Sequence, residues 1–316
     1  MSDRSAVDGS VSVVLPTRRW TTACDELVEQ VPRDGEFIIA CDGPDDPVVE
    51  DAAGTPAEVV VAGGPEGCSA KCNALAAGLE RATGEHIVCT DADFEHGPRW
   101  LPRVLRHLAD APPDHVVSSA PILVSEGPLL KPLEGPGAIG AALTTLLDTT
   151  AWGGTMAFRR EAVDVDEYAA DLRRTVSDDA LLTDRVEGVE SVPDLVRQMP
   201  VSGTLEETLD RQVRWTRTAL YVDPGGLVFG ALVQLAVLVG TLLAPLATVP
   251  LVTAAAGLAY AYFGVRRWTF VLAVPAYVAS LPMLAYGLAR TEFDWQGRRY
   301  RWTGLYDVEV LDRDAE

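Results

Sequence analysis

The chain of 316 residues is predicted to fold as an α/β domain with a mainly parallel central sheet, followed by C-terminal transmembrane helices. In the first half, short apolar runs rich in β-branched residues alternate with helix-like segments, as they do in layered α/β domains. In the second half, the stretch from Gly225 to Leu288 carries almost no charge. We therefore expect two parts, one in water and one in lipid.

The predicted strands are apolar runs, beginning with Val11-Ser12-Val13-Val14-Leu15, and the predicted helices lie between them. Strands are predicted at 11–15, 37–41, 59–62, 86–90 and 116–124, and helices at roughly 20–30, 69–82 and 98–109. Parallel strands present ligands at their carboxyl ends. Because Asp42 and Asp91 each follow an apolar run directly, their positions suit function better than packing.

Three apolar stretches form the C-terminal tail, at 227–244, 246–265 and 269–288. Each is close to the ~20 residues that cross ~30 Å of hydrocarbon. A buried helical hairpin inside a soluble protein is the alternative, and three successive apolar segments favour the membrane. Pro275 and Pro282 can break the last segment, so two or three spans both remain open.

Arginines next to the tail predict its orientation. Arg211, Arg214 and Arg217 precede the first apolar stretch, so the positive-inside rule keeps the large domain in the cytoplasm. Residues 1–10 are polar and show no signal-peptide pattern. The expected location is the cell membrane, in a multi-pass arrangement. The predicted organisation is a cytoplasmic domain at 1–222, a membrane domain at 223–290 and an aromatic and basic segment at 291–316.

The net charge of −20 at pH 7 argues against a nucleic-acid partner, because phosphate backbones select basic surfaces.

Only Lys71 and Lys131 among the 26 basic residues are lysines, and together with the excess of acids this predicts a halophilic protein. An ordinary acidic surface is the alternative. We expect thermal stability to rise along a KCl series, since salt screens self-repulsion. Full folding and activity in dilute buffer would contradict halophily.

The five cysteines predict neither a disulfide framework nor a zinc site, because their number is odd and no paired histidines accompany them. We expect them to be small core residues.

Asp91-Ala92-Asp93 places two carboxylates directly after the run His86–Thr90. Mg²⁺ and Mn²⁺ prefer oxygen ligands, commonly one or two carboxylates completed by phosphate oxygens. The triplet is therefore a candidate metal site, with a solvated turn as the alternative.

The ends of the first two strands are candidates for binding a nucleotide base. Pro16-Thr17 closes the first strand, and Asp42 with Gly43 closes the second. A carboxylate at a strand end can accept a hydrogen bond from the imide N–H of a base, although Asp-Gly-Pro is also a plain turn signal.

Lys71 lies near the start of the second helix, where backbone N–H groups and Ser69 favour an anion such as a diphosphate. Helix capping beside a surface lysine is the alternative.

Asp178-Asp179 also suits a helix N-terminus. Arg214 could bind a phosphate through bidentate hydrogen bonds. Trp215 suits an acceptor contact or an interfacial anchor equally.

Taken together, these motifs resemble the ceramide glucosyltransferase family of inverting glycosyltransferases with the GT-A fold. The resemblance covers roughly residues 11–220. Its motifs are Lys71-x-Asn73-x-Leu75, Asp91-x-Asp93, Trp152-Gly153-Gly154-Thr155-Met156-Ala157-Phe158-Arg159-Arg160, Asp178-Asp179 and Arg211-x-x-Arg214-Trp215.

The resemblance implies a role for each matching residue. Asp91 and Asp93 would hold the metal, and Asp179 would be the catalytic base. The donor and nucleotide site would comprise Pro16, Thr17, Asp42, Lys71, Asn73, Asp91 and Gly154. The acceptor and diphosphate would be contacted by Asp178, Arg211, Arg214 and Trp215.

The implied function is a membrane-bound, divalent-cation-dependent transfer of a hexose from a nucleotide sugar, expected to be UDP-linked, to a membrane lipid. The alternatives are a non-catalytic membrane docking subunit that retains the fold and a sugar-phosphate nucleotidyltransferase. Two further segments have open roles. The apolar segment 129–147 either lies on the membrane and admits a lipid or is a buried helix, and 293–300 either binds headgroups or covers the site.

Overall fold

The computed structural model describes residues 9–93, 95–125, 131–147, 149–201 and 204–311. Their strands are β1 (Val11–Pro16), β2 (Glu36–Cys41), β3 (Glu58–Val61), β4 (His86–Thr90), β5 (His115–Ser118), β6 (Ile122–Ser125), β7 (Thr155–Arg159), β8 (Gly188–Ser191), β9 (Gln198–Val201), β10 (Glu292–Trp295), β11 (Arg298–Gly304) and β12 (Asp307–Leu311). Their α-helices are α1 (Thr22–Gln30), α2 (Pro47–Asp51), α3 (Ala70–Arg81), α4 (Trp100–Asp110), α5 (Glu134–Leu147), α6 (Val165–Leu172), α7 (Asp178–Thr183), α8 (Leu205–Val222), α9 (Pro224–Leu243), α10 (Pro245–Tyr262) and α11 (Ala273–Ala289).

The chain divides into two compact units. The first comprises the described residues of Met1–Pro121, Leu147–Arg197 and Tyr306–Val308. The second comprises those of Ile122–Leu146, Gln198–Leu305 and Glu309–Glu316.

A seven-stranded sheet forms the centre of the first unit, in the order β3-β2-β1-β4-β7-β5-β8. β1 pairs in parallel with β2 and β4, β2 with β3, and β5 with β8. β7 runs antiparallel to both of its neighbours. The predicted α/β architecture with a mainly parallel sheet is therefore confirmed.

Helices cover both faces of this sheet, which explains why its central strands are apolar throughout. Val14 of β1 packs in the layer that contains α3 and α6, whereas Val13 and Leu15 pack in the layer that contains α1 and α4. Successive side chains of a strand point to opposite faces, so a strand between two helical layers must be apolar at every position. Gly78 lets α3 approach closely, because a Cβ there would overlap the side chain of Val14.

The prediction of a single strand at 116–124 is wrong. The structure has two strands there, β5 in the seven-stranded sheet and β6 in a separate two-stranded sheet with β9. Residues Ser119-Ala120-Pro121 separate them. Pro121 lacks an N–H and cannot continue a sheet ladder, so the chain leaves the first sheet at this point.

The second unit contains three helical segments that are long and apolar enough to cross a membrane: Pro224–Leu243, Pro245–Tyr262 and Trp268–Ala289. The last begins with a short 3-10 helix at Trp268–Leu272 and continues as α11. Pro275 lies in the first turn of α11, where an N–H has no helical partner, and Pro282 lies inside the helix without ending it. Neither proline therefore shortens the third segment.

The aromatic segment 293–300 lies in a β-hairpin formed by β10 and β11. Its turn residues Gln296 and Gly297 both have positive φ, at 52° and 82°, as a two-residue hairpin of this kind requires. Phe293 and Tyr300 pair across the strands, and both are buried. These two rings therefore contribute to the core of the second unit.

Candidate active site

Lys71 lies between two carboxylates of the first unit. Its Nζ is 2.8 Å from Oδ1 of Asp91 and 3.0 Å from Oδ2 of Asp178. The side chain of Lys71 is only 11% exposed and that of Asp178 only 5%. Lys71 lies in the first turn of α3, Asp91 directly follows β4, and Asp178 begins α7. Three predicted site residues from separate elements therefore meet in one cluster.

Burial and mutual charge determine the protonation of this cluster. Burial lowers the pKa of Lys71, but the charges of Asp178 and Asp91 outweigh burial and raise that pKa well above its usual 10.5. Burial raises the pKa of Asp178 to about 6 despite the opposing attraction of Lys71. Burial also raises the pKa of Asp91. The attraction of Lys71 opposes this rise, and the negative charge of Asp93 adds to it. The cluster therefore has two acids for one ammonium, so its net charge becomes negative when both acids are ionised, and it can then attract a further cation.

Asp179 lies beside this cluster, half-buried at the start of α7. Its Oδ1 accepts hydrogen bonds from Oγ of Ser177 (2.7 Å) and the backbone N–H of Ala180 (2.8 Å). Its Oδ2 accepts a weaker one from the backbone N–H of Gly153, at 3.3 Å. The carboxylate is thus held in one orientation, and its charge contributes to the elevated pKa values of Lys71 and Asp91.

Gly153 is a site residue that sequence reasoning did not single out. A Cβ at this position would lie 2.5 Å from Nζ of Lys71 and 3.0 Å from Oδ2 of Asp178. Only glycine therefore leaves room for the ion pair while its N–H binds Asp179. The Gly-Gly pair at 153–154 was the available signal, but only the folded contacts show which glycine faces the cluster.

We expect Gly153→Ala to lower kcat/KM by roughly 10–100-fold, because its methyl group would push Lys71 from Asp178 and displacements of about 1 Å have effects of this size. The measurement is steady-state transfer of sugar from a nucleotide donor. Gly230→Ala in α9 is the matched control, since a Cβ there meets nothing within 4 Å. Equal activity of the two variants would contradict a steric role for Gly153.

The predicted metal ligands Asp91 and Asp93 lie on the loop after β4, where Asp91 is half-buried and Asp93 exposed. Among the described residues, no group of three or more His, Cys, Asp or Glu side chains is arranged to hold a metal ion. Two carboxylates nevertheless fit Mg²⁺ or Mn²⁺, which commonly bind one or two carboxylates together with substrate phosphates. The excess negative charge of the cluster agrees with this fit.

Glu26 and His96 form hydrogen bonds that hold the segment after β4 in place. The backbone N–H groups of His96 and Gly97 donate to the two carboxylate oxygens of Glu26, at 2.7 and 3.0 Å. Nε2 of His96 lies 2.8 Å from Oγ1 of Thr90. Thr90 in turn donates to the carbonyl of Gly154 at 2.7 Å, so the predicted donor-site residue Gly154 is tied to the end of β4.

Burial and the charge of Arg197 lower the pKa of His96 from 6.5 to about 4. Because the unfolded chain binds the proton more tightly, the contribution of His96 is complete above pH 6.5 and is lost as pH falls towards 4. We expect this loss to reach at most about 3 kcal/mol. Other carboxyl groups titrate in the same range, so the measurement is the difference in free energy of unfolding between the wild type and His96→Gln at several pH values.

His107→Gln provides the matched control, since His107 is partly exposed and bonds to the surface residue Asp194. The free energy of unfolding of the His107→Gln variant should change with pH as that of the wild type does. A His96→Gln variant that loses as much stability on acidification as the wild type would contradict the prediction.

The predicted nucleotide end lies at the carboxyl ends of β1 and β2. Pro16 is the last residue of β1, and Thr17 continues the pairing through a hydrogen bond from its N–H to the carbonyl of Ala40, 2.9 Å. Asp42 directly follows β2, with Oδ2 3.7 Å from Nε of Arg18. These residues are therefore brought to one edge of the sheet, as the sequence predicted.

Asp46 organises this edge and was missed in the sequence. It is 8% exposed, and its Oδ2 accepts from the N–H groups of Asp42 and Gly43, both at 2.9 Å. Its Oδ1 lies 3.0 Å from Nε of Arg18. The available signal was an aspartate directly before Pro47, which is the pattern of a helix N-cap followed by proline at N1.

Asn73 supports the loop after β3. Its Nδ2 donates to the carbonyl of Gly63 at 2.9 Å, and the side chain is buried. Ser69, the N-cap of α3, accepts from the N–H of Cys72 at 3.1 Å and holds the turn from which Lys71 projects. Asn73 therefore holds the loop after β3 in place.

Arg211, Arg214 and Trp215 lie on α8 in the second unit. The guanidinium of Arg214 lies 4.0 Å from the ring centroid of Trp295 in β10, a close cation–π contact. Arg211 lies 5.9 Å from the ring of Trp215, which is 40% exposed. Burial lowers the pKa of Arg211. The hairpin of β10 and β11 thus supports the Arg-x-x-Arg-Trp segment, a role that the sequence left open.

Residues 21–165 match the family model described as Glycosyl transferase family 2. This match covers less than half of the 316 residues, and the mainly parallel sheet with carboxylates at its edge agrees with the GT-A fold. The predicted fold class is therefore confirmed, including C-terminal helices that are apolar enough to span a membrane. The narrower resemblance to ceramide glucosyltransferases stays a prediction.

One curated relative is undecaprenyl-phosphate 4-deoxy-4-formamido-L-arabinose transferase from Enterobacter sp. (strain 638), which is 33% identical over 109 residues. The aligned segment covers 30% of this chain and 32% of that protein, so the match spans about a third of the relative's length.

Similar solved structures include a mannosyltransferase from Pyrobaculum calidifontis in complex with GDP-Man and Mn²⁺, with 18% identity, a TM-score of 0.42, and coverage of 88% of this chain and 85% of that chain. Glucosyl-3-phosphoglycerate synthase from Mycobacterium tuberculosis, in complex with Mn²⁺, UDP and glucosyl-3-phosphoglycerate, is 19% identical with a TM-score of 0.36; coverage is 62% of this chain and 71% of that chain.

Proposed function

We propose that this chain is a membrane-bound inverting glycosyltransferase that transfers a hexose from a nucleotide sugar to a membrane lipid in a single displacement. The observation that carries the proposal is the cluster in which Lys71 joins Asp91 and Asp178, with Asp179 held beside it. Residues 21–165, which match the Glycosyl transferase family 2 model, include Lys71 and Asp91. A structural ion pair needs only one acid. A buried acid, a half-buried second acid and an adjacent third are typical of a site that handles developing charge.

Asp179 is proposed as the base. In an inverting displacement, the acceptor oxygen attacks the anomeric carbon from the side opposite the diphosphate, and a carboxylate takes the proton of an attacking hydroxyl. Hydrogen bonds from Ser177, Ala180 and Gly153 keep the Asp179 carboxylate in a fixed orientation for this task. Asp178 is proposed to act with the diphosphate and acceptor, as the resemblance implies, and to hold Lys71.

Lys71 is proposed to face the diphosphate of the donor. Its elevated pKa keeps the ammonium charged at any working pH, and a buried charge stabilises a leaving phosphate more strongly than an exposed one. Arg211, Arg214 and Trp215 are proposed to serve the diphosphate and acceptor in the assembled enzyme. Pro16, Thr17, Asp42, Asn73 and Gly154 are proposed to form the donor and nucleotide site.

A divalent cation, Mg²⁺ or Mn²⁺, is proposed as the cofactor, and Asp91 and Asp93 would hold it. When bound, such a cation neutralises charge that develops on the departing diphosphate. The negative charge of the cluster supports this proposal, because Asp91 and Asp178 together exceed the charge of Lys71.

The acceptor is proposed to be a lipid with a hydroxyl or phosphate group, and the donor a UDP-linked hexose. Three apolar helical segments support a lipid acceptor, as does a relative whose name includes undecaprenyl phosphate. We also propose a multi-pass placement in the cell membrane, with the domain at 1–222 in the cytoplasm, the membrane domain at 223–290 and the aromatic and basic segment at 291–316. Asp223, whose Oδ1 accepts from the N–H of Gly226 at 2.8 Å, caps the first apolar helix at that boundary.

The deciding experiment reconstitutes the protein in lipid vesicles, adds labelled nucleotide sugars one at a time with and without Mn²⁺ or Mg²⁺, and determines the masses of extracted lipids. We expect one donor to give a lipid heavier by one hexose, and only with the divalent cation. In a parallel reaction that supplies a nucleoside triphosphate and a sugar 1-phosphate, release of pyrophosphate would indicate a nucleotidyltransferase instead. Failure of every donor to bind or react would indicate a docking subunit.

A further inference from the structure

The helix α5 exposes an apolar face that the proposed reaction does not explain. Leu143 and Leu146 are 48% and 62% exposed, and Gly137 and Gly140 on the same helix are exposed as well. No charged residue follows Glu134 within the helix. An uncharged exposed face is unusual in a chain with a net charge of −20.

The first half of α5 packs on the apolar helices of the second unit. Gly135 contacts α11 closely, since a Cβ at Gly135 would lie 3.1 Å from Cβ of Ala273. Ile139 packs against a buried cluster made of residues from α10 and α11, namely Val252, Ala256, Ala273 and Val274. The candidate membrane helices therefore provide the packing partner of α5.

Glu134 fixes the start of α5 to the connection between α10 and α11. Its carboxylate accepts from Nη2 and Nε of Arg267 (2.8 and 2.9 Å), from Oγ1 of Thr269 (2.6 Å) and from the N–H of Ser125 (2.8 Å). Glu134 is buried, and all four hydrogen bonds lie within the second unit. A buried carboxylate with this many partners defines one position for the helix start.

The same connection carries signs of a membrane–water interface. Arg266 is exposed, and the neighbouring Trp268 is 63% exposed, a combination that is enriched where helices leave the bilayer. The 14 residues of α5 span only about 21 Å, which is too short to cross ~30 Å of hydrocarbon. A position at the bilayer surface agrees with this length and with the hydrogen bonds of Glu134 to Arg267 and Thr269, the residues on either side of Trp268.

We propose that α5 is an interfacial membrane helix, whose exposed face at Gly140, Leu143 and Leu146 contacts lipid acyl chains on the Arg266 side of the bilayer. The proposal rests on the membrane placement within the proposed function. Bilayer lipid is the occupant because the other side of α5 packs on the candidate spans, and because the first residue of α5 is bonded to the connection that carries Arg266 and Trp268.

The test places single cysteines for the fluorophore bimane. All five native cysteines are buried, so unmodified protein should label little. Leu146→Cys reports on α5, Leu242→Cys on α9, where Leu242 is 72% exposed, and Ala109→Cys on the exposed side of α4. Each labelled protein is reconstituted in vesicles and quenched with lipid carrying a doxyl group near the headgroup, with deeper doxyl lipid, and with aqueous iodide.

We expect bimane at Leu146 to be quenched most by the shallow doxyl lipid and at least threefold less by iodide than bimane at Ala109. Bimane at Leu242 should respond to doxyl lipid and not to iodide. Iodide quenching at Leu146 equal to that at Ala109 would overturn the proposal, as would resistance of Leu146 to every quencher, which would indicate a second copy or another protein on this face. A loss of doxyl quenching at Leu242 would instead reject the membrane placement itself.

Discussion

Lys71→Met is expected to abolish detectable transfer and to destabilise the first unit by roughly 3–5 kcal/mol, the range found when one partner of a buried ion pair is removed. Asp91 and Asp178 would then share a buried cluster without a cation, and their pKa values would rise further. We expect kcat/KM to fall by about 10³-fold or more, the magnitude associated with losing a principal charge stabiliser. Thermal unfolding and sugar transfer measured on the same preparation give the two values.

Two further variants separate stability from chemistry. Lys71→Met combined with Asp178→Asn should recover much of the lost stability, because a neutral amide removes one buried negative charge, yet it should recover no activity. Lys131→Met is the matched control for the loss of a lysine charge and should retain near wild-type behaviour. A Lys71→Met enzyme that folds poorly but transfers sugar normally per folded molecule would show that the ion pair is only structural.

Much of the fold was predictable because burial on both faces leaves a clear pattern. The strands that became β1, β2 and β4 are continuous apolar runs, since helical layers cover both faces of the sheet. The run at 116–124 has the same local pattern, and only pairing partners distant in the chain assign β5 and β6 to different sheets. Local sequence does not encode that choice, apart from the missing donor at Pro121.

The residues of the candidate site were easier to single out than their contacts. Asp91 stood out because it follows a strand directly. Asp178 and Asp179 stood out only through the set of motifs shared with the resembling family, since alone they suit a helix N-terminus. The contacts of Lys71 did not stand out, because Asp91 follows β4 and Asp178 begins α7, and only the folded chain brings α7 beside the end of β4. The role of Gly153 depends on the space left by three folded neighbours, which no local pattern reports.

Asp179→Asn is the second variant for which we expect a large effect, and its outcome also identifies the acceptor. Asparagine can keep its oxygen towards Ser177 and Ala180, losing only the 3.3 Å bond from Gly153, so stability should fall by about 1 kcal/mol. Donor binding, measured as nucleotide-dependent thermal stabilisation, should persist.

Transfer to a hydroxyl acceptor should nevertheless fall by roughly 10²–10⁴-fold in this variant, the usual contribution of a positioned general base. A lipid phosphate is already deprotonated near neutral pH, so transfer to phosphate should fall by less than about tenfold. Asp184→Asn, an exposed acid at the other end of α7, is the matched control and should change neither rate. If Asp179→Asn transfers sugar to a hydroxyl lipid at the wild-type rate, another group must take the proton and Asp179 only caps its helix.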